Sequence, residues 1–413
     1  MARILLILPS ATYRAHDFTV AAARLGAELV VASDRRQAMS EFLGDRALVL
    51  PLGRPDDAAR KVVEHAARVP LDAVVAVDDQ GVRTASLAAA ELGLKTSDPD
   101  AVARTRDKAA MRAALAEARV AQPGYRLVQP DGPSAGELAA ELGFPVVVKP
   151  LSLSASRGVI RADDAAAADA AAGRIHAMLK DADSQPLLVE SFVPGAEVAV
   201  EGLLRRGELE PLAIFDKPDP LDGPYFEETI YVTPSRLPEA TLAAIEATTA
   251  AAAAALGLTE GPIHAELRVD PDGERVTLLE VAARSIGGLC SRALRFGAGV
   301  SLEEVILRHA LDEPLSALDR ADAASGVMML PIPRAGVLRE VRGQDDARAV
   351  PGIVGLDIGI APGRPVEPLP EGDRYLGFLF ARGDTPAEVE RALREAHALL
   401  EVDIRDAAAA DAA

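Results

Sequence analysis

Apolar and polar positions alternate in blocks along the first hundred residues. The apolar blocks predict buried strands at 3–8, 27–33 and 71–79. The blocks between and after them predict helices at about 17–25, 56–68 and 81–92. Strands and helices in alternation form an open parallel sheet with helices on its faces. We therefore expect an α/β unit over residues 1–97.

Two acids follow the third apolar block, where that strand ends. Asp78 and Asp79 come directly after the run LDAVVAV. Ligands of open parallel sheets bind beyond the carboxyl ends of the strands. Asp78 is therefore a candidate substrate contact. Capping of the next helix by one of the two acids is the alternative.

The middle of the chain mixes short strands with Ala-rich helices. Asp98-Pro99 predicts the start of a helix that leads to Lys108. Strands are predicted at 125–128, 145–149, 187–190, 197–204, 209–215, 263–269 and 275–281, and helices at 134–142, 164–180 and 238–256. We expect one domain over 98–320, with a lid subdomain at about 118–193.

The residues after 320 predict a last, β-rich unit over 321–405. The runs GVMMLPI, GIVGLDIGI and RYLGFLFARG predict its strands, and 386–400 predicts a closing helix. The tail at 406–413 contains nothing but Asp and Ala, and we expect it to be disordered.

Composition and charge narrow the class of protein. A chain of 413 residues is longer than a typical domain and fits two to four subdomains. The net charge of −19 argues against a nucleic-acid partner, which requires a basic face. The single cysteine, Cys290, excludes an intramolecular disulfide and a multi-cysteine metal site. The first strand begins at Arg3 and no apolar run reaches the ~20 residues of a membrane span, so we expect a cytoplasmic protein without a membrane partner.

The segment VVVKPLSLSASRGVI, residues 146–160, places a lysine at a strand end before a loop of Ser and Gly. Such a lysine can hold a phosphate, and the backbone N–H groups of the loop can fold over it. Lys149, Ser154, Ser156 and Gly158 are therefore candidate nucleotide contacts. A hairpin with a solvated lysine is the alternative. The chain has no G-x-x-x-x-G-K-[ST] loop, which excludes a nucleotide site of that type.

The segment LLVESFVPGAEVAVEG, residues 187–202, interrupts a predicted strand at Pro194-Gly195. Main-chain groups at such a break can meet the edge of an adenine, and apolar side chains can cover its faces. The candidate adenine contacts are Glu190, Ser191, Phe192 and Val193. Glu197, where the strand resumes, is placed for ribose hydroxyls. A sheet crossover with exposed acids is the alternative.

The segment HAELRVDPDGERVTLLEVAARSIGG, residues 264–288, predicts two strands joined by a turn at 270–273. Pairing across this turn brings Glu266 and Glu280 close together. Two close carboxylates need a cation or a proton between them, and Mg²⁺ takes one or two carboxylates plus phosphate oxygens. Arg284 suits a transferring phosphate. The alternatives are a general acid–base pair for the carboxylates and a salt bridge to them for Arg284.

The segment KPDPLDGPYFEETIYVTPSRL, residues 217–237, concentrates aromatic and acidic side chains. Glu227 and Glu228 can pair there with the ammonium group of an amino acid, and a surface loop over the site is the alternative. His264 lies two residues before Glu266 and points to the same face of the strand. It is a further candidate substrate contact, or else a satisfied strand histidine.

In this order the motifs resemble those of the ATP-grasp superfamily, over about residues 3–400. They are R-D-K at 106–108, V-V-K-P at 147–150, the Ser/Gly loop, E-S-F-V-P-G-A-E at 190–197 and E…E-x-x-x-R at 266–284. The resemblance implies an ATP-grasp fold of α/β and α+β class, with a Rossmann-like N-terminal domain and a β-rich C-terminal domain. It also implies ATP and Mg²⁺, for which Mn²⁺ can substitute.

The resemblance assigns roles to the matching residues. It implies that phosphate is bound by Lys108 and Lys149, adenine by Glu190 to Val193, ribose by Glu197, and Mg²⁺ by Glu266 and Glu280. It further implies that Arg284 stabilises a phosphorylated intermediate. Arg284 and Lys149 together form the implied catalytic set.

The last motif narrows the resemblance further. Biotin carboxylase and its close relatives have E-x-N-x-R, whereas this chain has Ala282 in place of the Asn. The E-x-A-A-R form, followed by Gly287 and Gly288, is similar to bacterial L-amino-acid ligases that make dipeptides. This implies a carboxylate–amine ligase with small-molecule substrates, acting through an acyl phosphate, with the two glycines near the substrate. A homodimer is common among such relatives, and the sequence leaves the oligomeric state open.

Three other functions are alternatives. An ATP-grasp carboxylase is disfavoured by Ala282. A non-catalytic nucleotide sensor has no need of paired glutamates and Arg284, and a purely structural protein leaves this set of charges unexplained.

Overall fold

The computed structural model describes residues 1–10, 12–36, 43–179, 185–297, 299–315, 318, 320 and 323–406. The predicted disordered tail at 406–413 lies, apart from its first residue, outside this range. Among the helices described, none combines the length and apolarity that crossing a membrane requires.

The N-terminal part contains a parallel sheet in the order β3-β2-β1-β4. Its strands are β1 (Arg3–Ile7), β2 (Glu28–Ser33), β3 (Ala47–Val49) and β4 (Ala73–Ala76), and its helices are α1 (Ala15–Arg24), α2 (Pro55–Ala66) and α3 (Asp79–Glu91). Helices α2 and α3 cover one face, and the other face packs toward the central sheet. Because both faces are covered, β1 is buried from Ile4 onward. The predicted alternation of strands and helices is confirmed.

A second sheet, in the order β5-β8-β6-β7, is antiparallel and carries two helices on one face. Its elements are β5 (Tyr125–Val128), β6 (Val146–Pro150), β7 (Ile160–Ala162) and β8 (Leu187–Ser191), with α6 (Ala135–Leu142) and α7 (Ala165–Met178). This sheet delivers Lys149 and Glu190 from adjacent strands to the same region of the molecule.

The largest sheet has eight strands in the order β13-β12-β9-β10-β11-β14-β18-β16 and is antiparallel throughout. The strands are β9 (Ala196–Arg205), β10 (Glu208–Lys217), β11 (Ile230–Thr233), β12 (Gly261–Val269), β13 (Val276–Ala282), β14 (Ala324–Leu330), β16 (Ile353–Ile358) and β18 (Gly377–Gly383). Strands from the β-rich C-terminal region therefore extend the central sheet. A small sheet joins β17 (Pro365–Val366), β15 (Gly336–Arg342) and β19 (Glu401–Arg405).

Helices shield the faces of the central sheet. Helices α5 (Lys108–Glu117) and α8 (Glu239–Leu256) cover one end, and α11 (Pro386–Ala398) covers β14 and β18. The remaining helices are α4 (Pro99–Arg104), α9 (Leu302–Ala310) and α10 (Gln344–Ala349). The structure departs from the predicted loop over 217–237, because four residues of that segment form β11 against β14.

Capping residues explain why helix starts were predictable. Ser134 and Glu137 form a capping box at α6, and Thr385 and Glu388 form one at α11. Helix α8 ends where Gly257 adopts a left-handed conformation with φ of 81°. These local signals place the predicted helices within two residues of their observed ends.

Candidate active site

A cavity of about 340 Å³ lies where the second sheet, the central sheet and the N-terminal part meet. Most of the predicted site residues line it: Asp78, Lys108, Lys149, Ser154, Ser156, Glu190, Ser191, Phe192, Val193, Glu197, Glu228, His264, Glu266, Glu280, Arg284, Gly287 and Gly288. Residues as distant in the sequence as Asp78 and Gly288 therefore share one site.

Gly158 and Glu227 are predicted site residues that fall outside the lining of this cavity. Gly158 has a φ of 70°, and its N–H donates a hydrogen bond of 3.0 Å to Pro370 O. Its amide is therefore committed to the C-terminal region. Burial raises the pKa of Glu227, and its neighbour Glu228 is the acid that faces the cavity.

Lys149 and Glu190 form a buried ion pair at the base of the cavity. Lys149 Nζ lies 2.5 Å from Glu190 Oε2, and Arg112 Nε lies 2.5 Å from Glu190 Oε1. Burial opposes ionisation of Glu190, but Arg112 and Lys149 outweigh it and lower its pKa to about 2. Burial lowers the pKa of Lys149, and Glu190 counteracts this effect. The Lys149 ammonium group is therefore held in place by Glu190.

This ion pair makes the stability of the protein sensitive to acid. The pKa of Glu190 is lowered on folding, so its contribution is complete above pH 4.5 and is lost as the pH falls toward 2. We expect the difference in free energy of unfolding between wild type and Glu190→Gln to shrink by about 2 kcal/mol between pH 6 and pH 3. Urea unfolding at the two pH values measures this difference. An unchanged difference would show that folding does not lower the pKa of Glu190.

Lys108 links the Ser/Gly loop to Glu280. Its Nζ donates a hydrogen bond of 2.9 Å to Leu153 O and lies 3.3 Å from Glu280 Oε2. Ala155 and Ser156 in the same loop have φ values of 57° and 55°, which non-glycine residues adopt infrequently. The loop is thus held in a defined shape over the cavity, with a cation directly beneath it.

The strand break after Val193 is held by an arginine that the sequence analysis did not identify. Arg268 Nη1 donates to Val193 O at 2.7 Å, and its Nε donates to Glu197 Oε2 at 3.0 Å. The Arg268 guanidinium also lies over the Phe192 ring, 5.0 Å from its centroid. Arg268 therefore links two predicted adenine contacts, Phe192 and Val193, to the predicted ribose contact Glu197.

Lys217 is buried and contacts three acids, of which Glu228 and Glu266 are half-buried. Its Nζ lies 2.7 Å from Glu197 Oε1, 2.7 Å from Glu228 Oε1 and 3.0 Å from Glu266 Oε1. Burial alone would lower the pKa of Lys217, but the three carboxylates raise it well above its usual value. These carboxylates approach within 4.8 Å of one another, so their repulsion is balanced by the ammonium group.

Glu266 and Glu280 are direct partners across the β12–β13 pair, which confirms the predicted pairing. Their carboxylates face different cations, since Glu266 contacts Lys217 and Glu280 contacts Lys108. Both line the cavity beside the predicted phosphate lysines. Carboxylate oxygens are ligands that Mg²⁺ takes, so Glu266 and Glu280 fit that ion.

Arg284 is oriented by an acid from the N-terminal part. Its Nη2 donates to Asp79 Oδ2 at 2.8 Å, and Arg106 Nη1 lies 3.1 Å from Asp79 Oδ1. Burial opposes ionisation of Asp79, but the two arginines lower its pKa to about 2. The salt bridge considered for Arg284 is thus made to Asp79 instead of Glu266 or Glu280.

Helix capping does not account for the acids at the end of β4. Asp78 is the N-cap residue of α3, yet its side chain makes no capping hydrogen bond. Both acids line the cavity, but Asp79 is paired with Arg284 and Arg106. The two neighbouring acids therefore differ in their partners.

His264 is paired with an acid that the sequence analysis missed. His264 Nδ1 lies 2.8 Å from Glu201 Oε1, and the same oxygen accepts a hydrogen bond of 2.6 Å from Ile286 N–H. Burial lowers the pKa of His264, but Glu201 and Glu266 outweigh it and raise the pKa to about 9. Nδ1 of His264 therefore has a hydrogen-bond partner, as the alternative of a satisfied strand histidine predicts.

One part of the cavity wall is aromatic and acidic. Tyr231 OH donates to Glu228 Oε1 at 2.5 Å, and Tyr375 OH donates to Glu228 Oε2 at 3.3 Å. Gly288 has a φ of 58°, and a Cβ there would lie 2.8 Å from Phe378 Cε1. A side chain at 288 would therefore collide with the Phe378 ring.

Family models match three segments of the chain. An ATP-grasp N-terminal domain matches residues 18–96, an ATP-grasp domain matches 142–293, and the L-amino acid ligase C-terminal domain 2 matches 328–405. The matches follow one another in the order of the sheets described above.

Curated relatives match a part of the chain. The uncharacterized protein y4rH of Sinorhizobium fredii is 30% identical over 65% of this chain and 55% of its own length. The alanine–anticapsin ligase of Bacillus subtilis is 27% identical over 61% of this chain and 56% of its own length. This chain thus spans about half the length of the curated relatives it matches.

Solved structures of the same fold cover nearly the whole chain. An L-amino acid ligase from Bacillus licheniformis has a TM-score of 0.84 at 24% identity, over 98% of this chain and 99% of that one. A biotin carboxylase from Campylobacter jejuni has a TM-score of 0.68 at 15% identity, over 98% of this chain and 92% of that one. At these identities the likeness shows the fold alone.

Proposed function

Since the chain belongs to the ATP-grasp family, we propose that it is an ATP-dependent carboxylate–amine ligase that joins amino acids through an acyl phosphate and releases ADP and phosphate. The observation that carries this proposal is that Lys149, Glu266, Glu280 and Arg284 line a single cavity. The match of the C-terminal region to an L-amino acid ligase domain supports amino acids as substrates. ATP is abundant in the cytoplasm, where we place the protein.

The nucleotide half of the cavity would bind ATP as follows. The strand break at 190–193 receives the adenine, Glu197 faces the ribose, and Lys108 and Lys149 contact the phosphates. Glu266 and Glu280 would hold Mg²⁺, or Mn²⁺ in its place, and such an ion neutralises charge on phosphate oxygens. The Ser/Gly loop covers this half and excludes water, which protects an acyl phosphate from hydrolysis.

The reaction proceeds in two steps in the half of the cavity that does not hold the nucleotide. An oxygen of the substrate carboxylate attacks the γ-phosphorus of ATP, and the bond to the ADP oxygen breaks, which gives the acyl phosphate and ADP. Arg284 stabilises the negative charge on the transferring group, and Asp79 fixes its orientation. A deprotonated amine then attacks the acyl carbon, the carbon–phosphate oxygen bond breaks, and phosphate leaves as the amide forms.

The acidic wall would position the amino-acid substrates. Asp78 and Glu228 line the cavity, where either carboxylate can pair with an ammonium group. Glu227 precedes Glu228 in the chain and is not among the residues that line the cavity. Gly287 and Gly288 come after Arg284 in the chain and line the same cavity. Burial raises the pKa of Glu228 and the Lys217 ammonium group counteracts this effect, so a substrate ammonium group would further favour the charged carboxylate.

The proposed reaction is tested with purified protein, ATP, Mg²⁺ and a pool of amino acids. We expect ADP and phosphate to be released in a one-to-one ratio, together with a product whose mass is that of a dipeptide. Omission of either the carboxylate or the amine should stop turnover. Release of AMP, or turnover that depends on bicarbonate and not on an amine, would contradict the proposal.

The two glycines after Arg284 provide a matched pair of variants. Gly288→Ala puts a Cβ against Phe378 at a φ of 58°, whereas no atom lies within 4 Å of a Cβ at Gly287. A left-handed conformation costs an alanine about 1–2 kcal/mol. We expect kcat/KM for the amino acids to fall about tenfold or more in Gly288→Ala and to stay near wild type in Gly287→Ala. Equal effects of the two substitutions would contradict this account.

A further inference from the structure

The imidazole of His264 is nine-tenths buried, and its two nitrogens face different carboxylates. Nδ1 lies 2.8 Å from Glu201 Oε1. Nε2 lies 3.7 Å from Glu266 Oε1, which exceeds hydrogen-bonding distance. The second nitrogen therefore points at one of the two predicted metal carboxylates without bonding to it.

Glu201 fixes the orientation of the ring. It is fully buried in β9, and it is the direct cross-strand partner of His264. Its Oε1 already accepts the Ile286 N–H, so the hydrogen between Glu201 and His264 is supplied by Nδ1. A histidine that donates Nδ1–H to a carboxylate offers Nε2 as the atom that a cation can bind in place of a proton, an arrangement that recurs around metal-bound histidines.

The neighbouring strand offers no donor atom at the same level. The β12–β13 register places His264 opposite Ala282 and Glu266 opposite Glu280. The side chain of Ala282 is a methyl group and cannot bind a cation. Of the pair His264 and Ala282, only His264 therefore has a side-chain atom that can bind a cation next to Glu266 and Glu280.

We propose that Nε2 of His264 is a third protein ligand of the metal ion held by Glu266 and Glu280, with Glu201 as the residue that positions the ring. The proposal rests on the metal site of the proposed function. Two metal–ligand bonds of about 2.1 Å can bridge atoms up to about 4 Å apart, and Nε2 lies 3.7 Å from Glu266 Oε1. Lys217 Nζ lies 3.0 Å from the same oxygen, so the shared ion would take the place of this ammonium group.

A nitrogen ligand has a consequence for the choice of ion. Mg²⁺ is a hard cation that takes oxygen ligands, whereas first-row transition ions also accept imidazole. The site should therefore bind Mn²⁺ more tightly than Mg²⁺. Replacing His264 with glutamine, which offers an oxygen, should reduce this preference.

The experiment detects the nitrogen directly and without turnover. The full chain is prepared with ¹⁵N in its histidines alone and is mixed with Mn²⁺ and ADP, and pulsed electron paramagnetic resonance is recorded. We expect a ¹⁵N coupling to Mn²⁺ in wild type. We expect it to be absent in His264→Gln, with Mn²⁺ bound about tenfold or more weakly.

Two further variants complete the test. His176→Gln removes a histidine from α7, whose Nε2 meets Gln185 O, and should keep both the coupling and the Mn²⁺ affinity of wild type. Glu201→Gln should weaken Mn²⁺ binding about 10- to 100-fold, as loss of a residue that orients a metal ligand does.

The outcomes separate this inference from the proposed function. If Mn²⁺ binds in a manner that depends on Glu266 and Glu280 but shows no ¹⁵N coupling, His264 is not a ligand and the inference fails, while the proposed metal site stands. If Mn²⁺ affinity is the same in wild type, Glu266→Gln and Glu280→Gln, the metal site itself fails and the inference fails with it.

Discussion

Replacing Glu280 with glutamine should lower kcat about a thousandfold without unfolding the protein. Glu280 is the cross-strand partner of Glu266, and its carboxylate faces Lys108 in the cavity. Glutamine keeps the size of the side chain but removes the charge that would hold Mg²⁺ and balance Lys108. Loss of a group that stabilises transferring charge costs about 10²–10³ in kcat for a single donor, and loss of a metal ligand costs at least as much. ADP release under saturating substrates measures it.

A glutamate on the same hairpin supplies the control. Glu274 lies in the exposed turn between β12 and β13. Glu274→Gln makes the same chemical change outside the cavity and should leave kcat within about twofold of wild type, as for most surface substitutions. Near-normal turnover of Glu280→Gln at saturating Mg²⁺ would remove Glu280 from the catalytic metal site.

Much of the fold was predictable because local signals agree with the final packing. The apolar run at 3–8 predicts a strand, and β1 is indeed covered on both faces. Short elements were missed, among them β3, which has three residues. Strand β11 was assigned to a loop, since its four residues are stabilised by pairing with β14, which lies about a hundred positions further along the chain. Pairing at that distance leaves no local signal.

The candidate site was partly predictable for a similar reason. Glu266 and Glu280 were paired correctly because a short turn fixes the register of the two strands. Lys217 was missed, since its three carboxylate partners come from elements that meet only in the folded chain. Glu201 lies in an apolar strand, and a buried acid there was the signal that could have indicated a partner such as His264.

The second large effect is expected at Arg284. Replacement by lysine keeps one positive charge but removes the planar guanidinium, which donates at once to Asp79 and to Ser285 O. A lysine cannot keep the contact with Asp79 and also face a transferring phosphate. Arginines that stabilise phosphoryl transfer contribute about 10³–10⁵ to kcat. We therefore expect Arg284→Lys to lower kcat about a thousandfold.

The KM for ATP should change little in this variant, about threefold at most, because Lys108, Lys149 and the strand break at 190–193 hold the nucleotide. Steady-state kinetics with varied ATP separates the two parameters. Arg275→Lys, at an exposed position of the same hairpin, is the matched control and should resemble wild type. Asp79→Asn should give an intermediate loss of kcat, since Arg284 is then still present but no longer held by a charged partner. An increase in KM for ATP with kcat unchanged would assign Arg284 to nucleotide binding and exclude it from the chemical step.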